Sequence, residues 1–483
     1  MKFYYLNRLF VNRVFWYLFT RYFTYFLQFV SSILIAVKLG AYYWGIWNFI
    51  LLLINYFQIF NLGIENAANI LLVQNKDNLQ RFKNLLKSSL LCVVFVQLLF
   101  LLVGFSYYLF DWDLGKYKLG VYFYYICLIG ILIRINQLCM TVYRIRNRLF
   151  EMAFYQSVIP VCLFFALFFA SGEKLLLLFL NIYWIGYVVA FFIFLLHRQI
   201  VWDGQVCIND IKLILKKGCN LFIYNVCFYL IIISTRSIVS SFYTVEEFGY
   251  FAFAYTLAHA ILLLLESFNY VIFPKVIKRF SNSNKSILLA TIEKLRVNYV
   301  SMSHGLIYIA IALFPYFLLL VTEYANTLPA LNMVALSVLM YTNSFGYNSF
   351  LMAQGNEKRL AIISISCLLV NVLIALILVW LQVDYYIIVL ATLCAYFLYS
   401  YWCTYYGHKL LNTSSSIKYV LKDCMPLELF LPYVVAIAVS SISLLRYFSF
   451  LPLVIYIFFN RNNIREIINT IKQVILNPKV INV

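Results

Sequence analysis

The chain has 483 residues, of which 64% are apolar, 19% are aromatic and only 11% are charged. A soluble protein is about half apolar and about a quarter charged, so one soluble core could not bury this much apolar surface. The composition therefore predicts an all-α integral membrane protein. It excludes a soluble enzyme, a disulfide-rich secreted scaffold and a disordered protein.

Fourteen apolar stretches are candidates for crossing the membrane, which takes about 20 residues each. The last two are the weakest, because Pro432 and Pro452 interrupt them and the second is short. No small-residue cleavage site follows the basic start, so we expect no removable signal. In chain order the spans are predicted at residues 14–37, 44–70, 85–110, 119–142, 151–170, 175–196, 218–242, 248–273, 299–321, 328–352, 360–381, 385–406, 428–445 and 447–459.

The charges in the loops set the orientation. Alternate loops carry 29 of the 37 lysines and arginines, and the opposite loops carry five. The basic side of a membrane protein is cytoplasmic, so both termini are predicted to be cytoplasmic. The net charge of +19 then reflects topology, and we expect no nucleic acid partner. Two longer inward stretches, 208–217 and 286–296, are predicted to form amphipathic surface helices.

A faint internal repeat divides the chain. A shift of about 204 residues places Arg13 on Lys217 and Gly45 on Gly249, with matching hydropathy between them. Two halves of six spans in the same orientation are typical of parallel-repeat transporters. We predict an N-terminal lobe at residues 1–200, a cytoplasmic linker at 201–217, a C-terminal lobe at 218–410, and a last pair of spans with a basic cytoplasmic tail at 411–483.

Six spans carry polar side chains at helical spacing, while most of the others are bland. They are spans one, two, four, seven, eight and ten, which are equivalent positions in the two halves. We interpret them as lining one shared, hydrated interior. The candidate site residues on these spans are Arg21, Gln28, Asn55, Arg134, Gln137, Arg236, His259, Glu266 and Asn343.

Three arginines dominate this interior. Arg21, Arg134 and Arg236 lie at the inner, middle and outer levels of their spans, and Glu266 is the one deep acid expected beside them. A buried arginine costs at least about 2.5–3.5 kcal/mol, so such residues usually serve a function. The interior is therefore predicted to be cationic and to suit an anionic substrate, because guanidinium pairs with phosphate oxygens.

Each of these residues also has a structural interpretation. Arg21 and Arg236 could extend to the nearest membrane surface. Glu266 fits either a counter-ion to an arginine or a proton or cation site. His259 fits either a hydrogen-bonded packing residue or a group that titrates near neutral pH. The sequence leaves these alternatives open.

Three segments of the chain follow one another in a recognisable order. The first is Ala36–Gly40 with Tyr43–Trp47 and Asn61–Ala67, the second is Phe248–Tyr255 with Phe273–Pro274, and the third is Met352–Lys358. In their order and spacing these segments resemble polysaccharide-exporting flippases of the Wzx type, and the resemblance covers spans one to twelve. This family shares a superfamily with MATE drug exporters and the lipid II flippase.

The resemblance implies a MATE-like fold, with a twelve-helix core of two six-helix lobes in a V around a central cavity, plus a C-terminal pair. Family members move a polyprenyl-diphosphate-linked oligosaccharide across the bacterial inner membrane, from the cytoplasmic to the outer leaflet. By position, Arg21, Arg134 and Arg236 would hold the diphosphate. The polysaccharide polymerase and chain-length regulator of the pathway are implied partners. The pathway itself, whether O-antigen lipopolysaccharide, capsule or exopolysaccharide, stays open.

Three rivals compete with this interpretation. A MATE-like antiporter of small cations has the same fold, but its cavity needs acidic residues. A polysaccharide polymerase or ligase is expected to have a large outward loop, and a non-transporting scaffold leaves the polar spans unexplained. We find none of the usual nucleophile, metal or glycine-rich phosphate motifs, so we expect no catalytic residue, metal or cofactor.

Overall fold

A computed structural model describes residues 13–59, 61–75, 77–109, 115–117, 119–146, 148–196, 203–261, 280, 285–441, 448–466 and 468. Its contacts divide the chain into two compact units, Met1–Val226 and Cys227–Val483. The boundary lies inside a helix, nine residues after the predicted linker ends.

The first unit is built from helices. They are α1 (Arg13–Ile59), α2 (Ile64–Gln74), α3 (Leu79–Leu109), α4 (Leu119–Ile145), α5 (Leu149–Ala166), α6 (Gly172–Leu196) and the first half of α7 (Ile208–Phe242), with a 3-10 turn at Gly115–Tyr117. Helix α1 packs against α4, α5 and α6. Helix α4 also contacts α2 and α3, so it has neighbours on several sides.

The second unit is also helical. After the end of α7 it contains α8 (245–261), α9 (Lys285–Leu319), a 3-10 turn at Thr322–Thr327, α10 (Leu328–Thr342), α11 (Tyr347–Ala353), α12 (Glu357–Trp380), α13 (Val389–Leu411), α14 (Ile417–Cys424), α15 (Leu427–Ser441) and α16 (Leu451–Phe459). Helices α10 and α13 pack closely, and α10 is almost wholly buried.

The predicted all-α membrane fold is confirmed over the described ranges. Seven described helices are long and apolar enough to cross a membrane, and the number would rise to nine only if each of two bent helix pairs formed one span. Large apolar side chains such as Phe169, Leu320 and Trp380 are at least 80% exposed, which suits contact with lipid. The chain is therefore a multi-pass membrane protein, and the figure of fourteen spans stays a prediction.

Two predicted spans are broken in the structure. Span two was expected to be continuous over 44–70, but the chain turns at Asn61–Gly63, where Leu62 and Gly63 have positive φ angles. The Asn61 side chain accepts a hydrogen bond from the Gly63 amide and closes this turn. Span ten is interrupted in the same way before Gly346, whose φ is 91°. A bend of 45° separates the two parts of that helix pair.

The predicted surface helices are not separate elements. Residues 208–217 form the first turns of α7, and residues 286–296 form the first turns of α9. No proline or turn sequence separates them from the apolar residues that follow, so each helix simply continues. Within the first unit, the start of α7 is held by α3, where Arg81 pairs with the buried Asp210 at 2.6 Å. The loop ahead of it is held by Lys83 and Asp203, 3.1 Å apart.

Two glycines of the first unit meet backbone to backbone. A Cβ on Gly63 would lie 2.3 Å from the carbonyl oxygen of Gly218, and one on Gly218 would lie 2.9 Å from that of Gly63. Gly63 also has a φ of 69°, which disfavours any side chain. This contact lets α7 approach the turn that precedes α2.

A polar cluster in the second unit fixes the short helix α14. The Asp423 carboxylate accepts hydrogen bonds from Tyr347 at 2.6 Å and from His408 at 2.8 Å. Arg296 donates to the Asp423 carbonyl oxygen at 2.6 Å, and its Nε lies 3.6 Å from the carboxylate. His408 also contacts Thr413 at 2.7 Å. One face of α14 is thus turned toward α9, α11 and α13.

We predict that Gly63→Ala lowers the thermal stability of the detergent-purified protein, by more than about 2 kcal/mol, because strain at positive φ adds to the clash with Gly218. Thermal unfolding followed by gel filtration measures the effect. Gly355→Ala has the same φ of 69° but open space around it, so it should show the strain alone. Gly120→Ala, with nothing within 4 Å, should be neutral or slightly stabilising. Equal losses for Gly63→Ala and Gly355→Ala would refute the close contact.

The Asp423 cluster predicts a dependence of stability on pH. Helix α14 has three charged residues in eight, so we place it outside the spans. Burial acts to raise the pKa of Asp423, but the bond with His408, the Arg296 charge and the Tyr347 hydroxyl together lower it from 3.8 to about 2. A lowered pKa stabilises the fold above the ordinary value, and the stability is lost as pH falls toward 2.

We expect a loss of about 2 kcal/mol between pH 4 and pH 2, which matches the size of this pKa shift. Unfolding measured across that window in the wild type and in Asp423→Asn checks it. The variant should be less stable at pH 7, and its remaining pH slope should be smaller. An unchanged slope in the variant would assign the acid sensitivity to other carboxylates.

Candidate functional site

The predicted site residue Arg134 lies on α4 in the first unit and is only 2% exposed. Its Nη1 donates to Glu65 Oε1 at 2.6 Å and to Gln137 Oε1 at 2.8 Å. Its Nε donates to the carbonyl oxygen of Phe57 at 3.2 Å. Among the described residues Nη2 has no hydrogen-bond partner. Arg134 is therefore held on one side and has one buried donor group left over.

Each partner comes from a local feature of the sequence. Gln137 is one helical turn after Arg134 on α4, so both side chains lie on one face. Phe57 is in the last turn of α1, where carbonyl oxygens have no amide ahead of them in the helix. Glu65 is in the first turn of α2, just after the break at Asn61–Gly63. The broken helix thus supplies two of the three acceptors.

This arrangement corrects the expectation that Glu266 is the one deep acid. Glu65 is a second acid in an apolar stretch, and it neutralises Arg134 directly. A buried guanidinium needs a compensating anion, and the structure supplies one. An acid inside the apolar run from Ile64 to Val73 was the signal in the sequence. The sequence could not identify Arg134 as the partner of Glu65, since 69 residues separate them.

A second candidate site lies in the second unit around Arg236. Its guanidinium carbon is 4.7 Å from the centre of the Tyr255 ring, and that ring stacks on His259 at 3.9 Å. Hydroxyl groups of Thr235, Ser337 and Thr392 complete the wall. A cation on an aromatic platform with hydroxyls nearby can bind an anionic or sugar-like group.

An uncharged cluster lies beside this cleft. Thr235 and Thr392 share a hydrogen bond of 2.7 Å, and the Asn371 amide donates to Thr235 at 3.0 Å and to the Ile231 carbonyl oxygen at 2.9 Å. These contacts join α7, α12 and α13. Asn371 and both threonines are buried. The cluster fixes the wall of the cleft. Asn371 was not predicted from the sequence, because span eleven has no series of polar side chains at helical spacing.

The remaining predicted residues are scattered. Gln28 is exposed and Asn55 is half-buried, both on α1. Asn343 is fully buried and bonds to His304 at 3.1 Å and to the Met425 sulfur at 3.0 Å, away from the Arg236 cleft. The Arg21 side chain and Glu266 lie outside the described residues.

The structure thus pairs Arg134 with Gln137, and Arg236 with His259 through Tyr255. Arg134 and Arg236 belong to different units. Over the described part of the chain, no group of three His, Cys, Asp or Glu side chains could hold a metal ion.

Comparison with known families decides the identity. Residues 10–281, more than half of the chain, match the family described as polysaccharide biosynthesis protein. The chain belongs to this family. The match covers the first unit from residue 10 onward and reaches past α8, so both Arg134 and Arg236 lie inside it. A search of curated proteins found no significant match for this member of the family.

Solved structures show the fold of this family member. One structure of the lipid II flippase MurJ, in an inward closed conformation, aligns with a TM-score of 0.65 at 16% identity, covering 94% of this chain and 99% of that one. An inward-facing MATE multidrug transporter aligns with a TM-score of 0.66 at 10% identity, covering 80% and 94%. A Vibrio cholerae MATE transporter aligns with a TM-score of 0.53 at 13% identity, covering 82% and 95%. The chain therefore has the MurJ and MATE fold.

We predict that Glu65→Ala destabilises the protein by about 3–5 kcal/mol, because Arg134 loses its compensating charge in a buried setting. Thermal unfolding in detergent measures the loss. The double variant Glu65→Ala/Arg134→Met removes both charges and should recover most of the stability. Arg134→Met is also measured alone. If the stability losses of Glu65→Ala and Arg134→Met simply added up in the double variant, the two side chains would not be energetically coupled.

Proposed function

We propose that this protein is a flippase that moves a polyprenyl-diphosphate-linked oligosaccharide from the cytoplasmic to the outer leaflet of the bacterial inner membrane. It acts as a transporter by alternating access and carries out no covalent chemistry. The anionic head enters the protein while the prenyl tail stays in lipid. Membership of the polysaccharide biosynthesis family is the observation that carries this proposal.

The charged groups support the choice of an anionic head. Arg134 and Arg236 are buried cations, 2% and 6% exposed, in helices of a membrane protein. Arg134 Nη2 has no hydrogen-bond partner within the described part of the chain, so a phosphate oxygen could bind there. Guanidinium binds phosphate through paired hydrogen bonds, and these are stronger away from water.

Glu65 gives Arg134 a partner while the substrate is absent. A diphosphate that binds Nη2 would weaken the bond to Glu65 at 2.6 Å and could replace it. Exchanging one anion for another keeps the buried guanidinium compensated throughout. The substrate therefore binds a guanidinium that is already held in position and removed from water.

Arg236 and its cleft would form the second contact in this mechanism. The Tyr255 ring and the surrounding hydroxyls can take a sugar or a phosphate beside the guanidinium. Arg21, Gln28, Asn55 and Asn343 stay proposed lining residues, and Glu266 and His259 stay proposed coupling groups. The membrane potential, negative inside, would favour outward movement of the diphosphate by about 2.3 kcal/mol per charge per 100 mV. The polymerase and chain-length regulator are proposed partners.

A MATE-like antiporter of small cations is the second candidate. The shared fold and the aromatic cleft of Tyr255 and His259 favour it. A cationic cargo needs a free acid, however, and Glu65 is already paired with Arg134. The anionic substrate fits the charges of the described residues better.

The test uses a strain of the source organism from which this gene is deleted. Membrane lipids are extracted, and polyprenyl-diphosphate oligosaccharides are quantified by mass spectrometry. We expect complete repeat units to accumulate in this strain. Expression of the wild-type protein should remove the accumulation. Arg134→Ala and the double variant Glu65→Ala/Arg134→Met should be at least about tenfold less effective in removing the accumulated lipid, as expected from losing a charged contact.

The double variant separates folding from function, because it should be stable while lacking the cation. Arg359→Ala, which removes an exposed arginine at the start of α12, is the matched control and should act as wild type. If the stable double variant removed the accumulated lipid as well as the wild type does, Arg134 would be excluded as a diphosphate ligand. Absence of accumulation in a strain without a second flippase would disprove the flippase and favour the antiporter.

A further inference from the structure

Helix α14 can present only one face outward. Asp423 points into the second unit and bonds with Tyr347 and His408, and Arg296 holds its carbonyl oxygen. Val420 and Cys424 on the same side are buried. Three hydrogen bonds from α9, α11 and α13 therefore set the rotation of this eight-residue helix.

The outward face of α14 has two parallel rows. Lys418 and Lys422 are exposed one helical turn apart, and Ile417 and Leu421, 67% and 39% exposed, form the neighbouring row. A row of lysines beside a row of large apolar residues is the pattern of a helix that lies in the membrane surface. Water alone would not favour this exposure of Ile417.

The apolar row continues into a helix that faces lipid. Helix α15 turns away from α14 by 67°. Its first turns expose Leu427, Phe430 and Leu431, which are 75%, 47% and 44% accessible. If α15 enters the membrane, α14 lies along its surface, with Ile417 and Leu421 at the level of the acyl chains. The lysines then lie at the level of the phosphates.

A third cation comes from the end of α16. Asn460 donates to the carbonyl oxygen of Glu428 at 2.9 Å, which ties the end of α16 to the start of α15. Arg461 follows directly and is exposed. Glu428 is the exposed acid in this stretch, whereas Asp423 is turned inward and paired. The patch keeps a net positive charge.

We propose that Lys418, Lys422 and Arg461, above Ile417, Leu421 and Leu427, form a binding site for an acidic phospholipid of the cytoplasmic leaflet. The lysines and Arg461 contact the headgroup phosphate, and the apolar row contacts the acyl chains. An acidic protein partner would explain the cations but not an apolar row continuous with the lipid-facing surface of α15. The site is independent of the transport substrate.

Native mass spectrometry of the full-length protein, released from detergent with phosphatidylglycerol or phosphatidylcholine, tests this site. We expect the wild type to bind phosphatidylglycerol preferentially and to lose it at high salt. Lys418→Gln/Lys422→Gln should weaken this binding about tenfold or more, since each lysine near anionic lipid contributes about fivefold. Lys418→Arg/Lys422→Arg should retain it.

The matched control is Lys294→Gln/Lys358→Gln, which removes two exposed lysines elsewhere in the second unit. This control should bind as wild type, and gel filtration confirms that each variant is folded. Equal losses in both glutamine variants would overturn the proposal, because net charge alone would then explain the binding. Displacement of the lipid by soluble glycerol phosphate would also overturn it, since the acyl chains would then play no part. None of these measurements depends on transport activity, so they test the lipid site independently of the proposed flippase function.

Discussion

The buried ion pair between Arg134 and Glu65 is the constraint on which the first unit depends. A guanidinium that is 2% exposed in an apolar unit cannot remain without a counter-charge, and the carboxylate at 2.6 Å supplies it. Helices α1, α2 and α4 all contribute to this one side chain. Their packing is therefore an electrostatic requirement as well as a hydrophobic one. Any anionic substrate that reaches Arg134 has to compete with Glu65.

The break at Asn61–Gly63 makes this pair possible. It ends α1 just after Phe57, whose carbonyl oxygen accepts a bond from Arg134, and it starts α2 so that Glu65 lies in the first turn. Gly63 adopts a positive φ and admits the backbone of Gly218. One short turn thus sets both the charge partner of Arg134 and the approach of α7.

The second unit balances its charges in a different way. Arg236 rests on the Tyr255 ring at 4.7 Å, next to an uncharged network of Thr235, Asn371 and Thr392. An aromatic face stabilises a cation less than a carboxylate does at this distance, so Tyr255 compensates Arg236 less than Glu65 compensates Arg134. Asp423 of this unit is paired with His408 and holds α14 against the bundle.

The sequence by itself determined the membrane class, the helical fold and two of the buried arginines, Arg134 and Arg236. Apolar run length and intramembrane charge are local properties, since each depends on neighbours along the chain. Tertiary structure alone decided that Arg134 pairs with Glu65 and that Asn343 bonds to His304 and Met425. These partners are tens of residues apart, and no periodic pattern connects them. Their pairing follows from which helices pack together, because a buried polar group takes whichever partner the packing brings within reach.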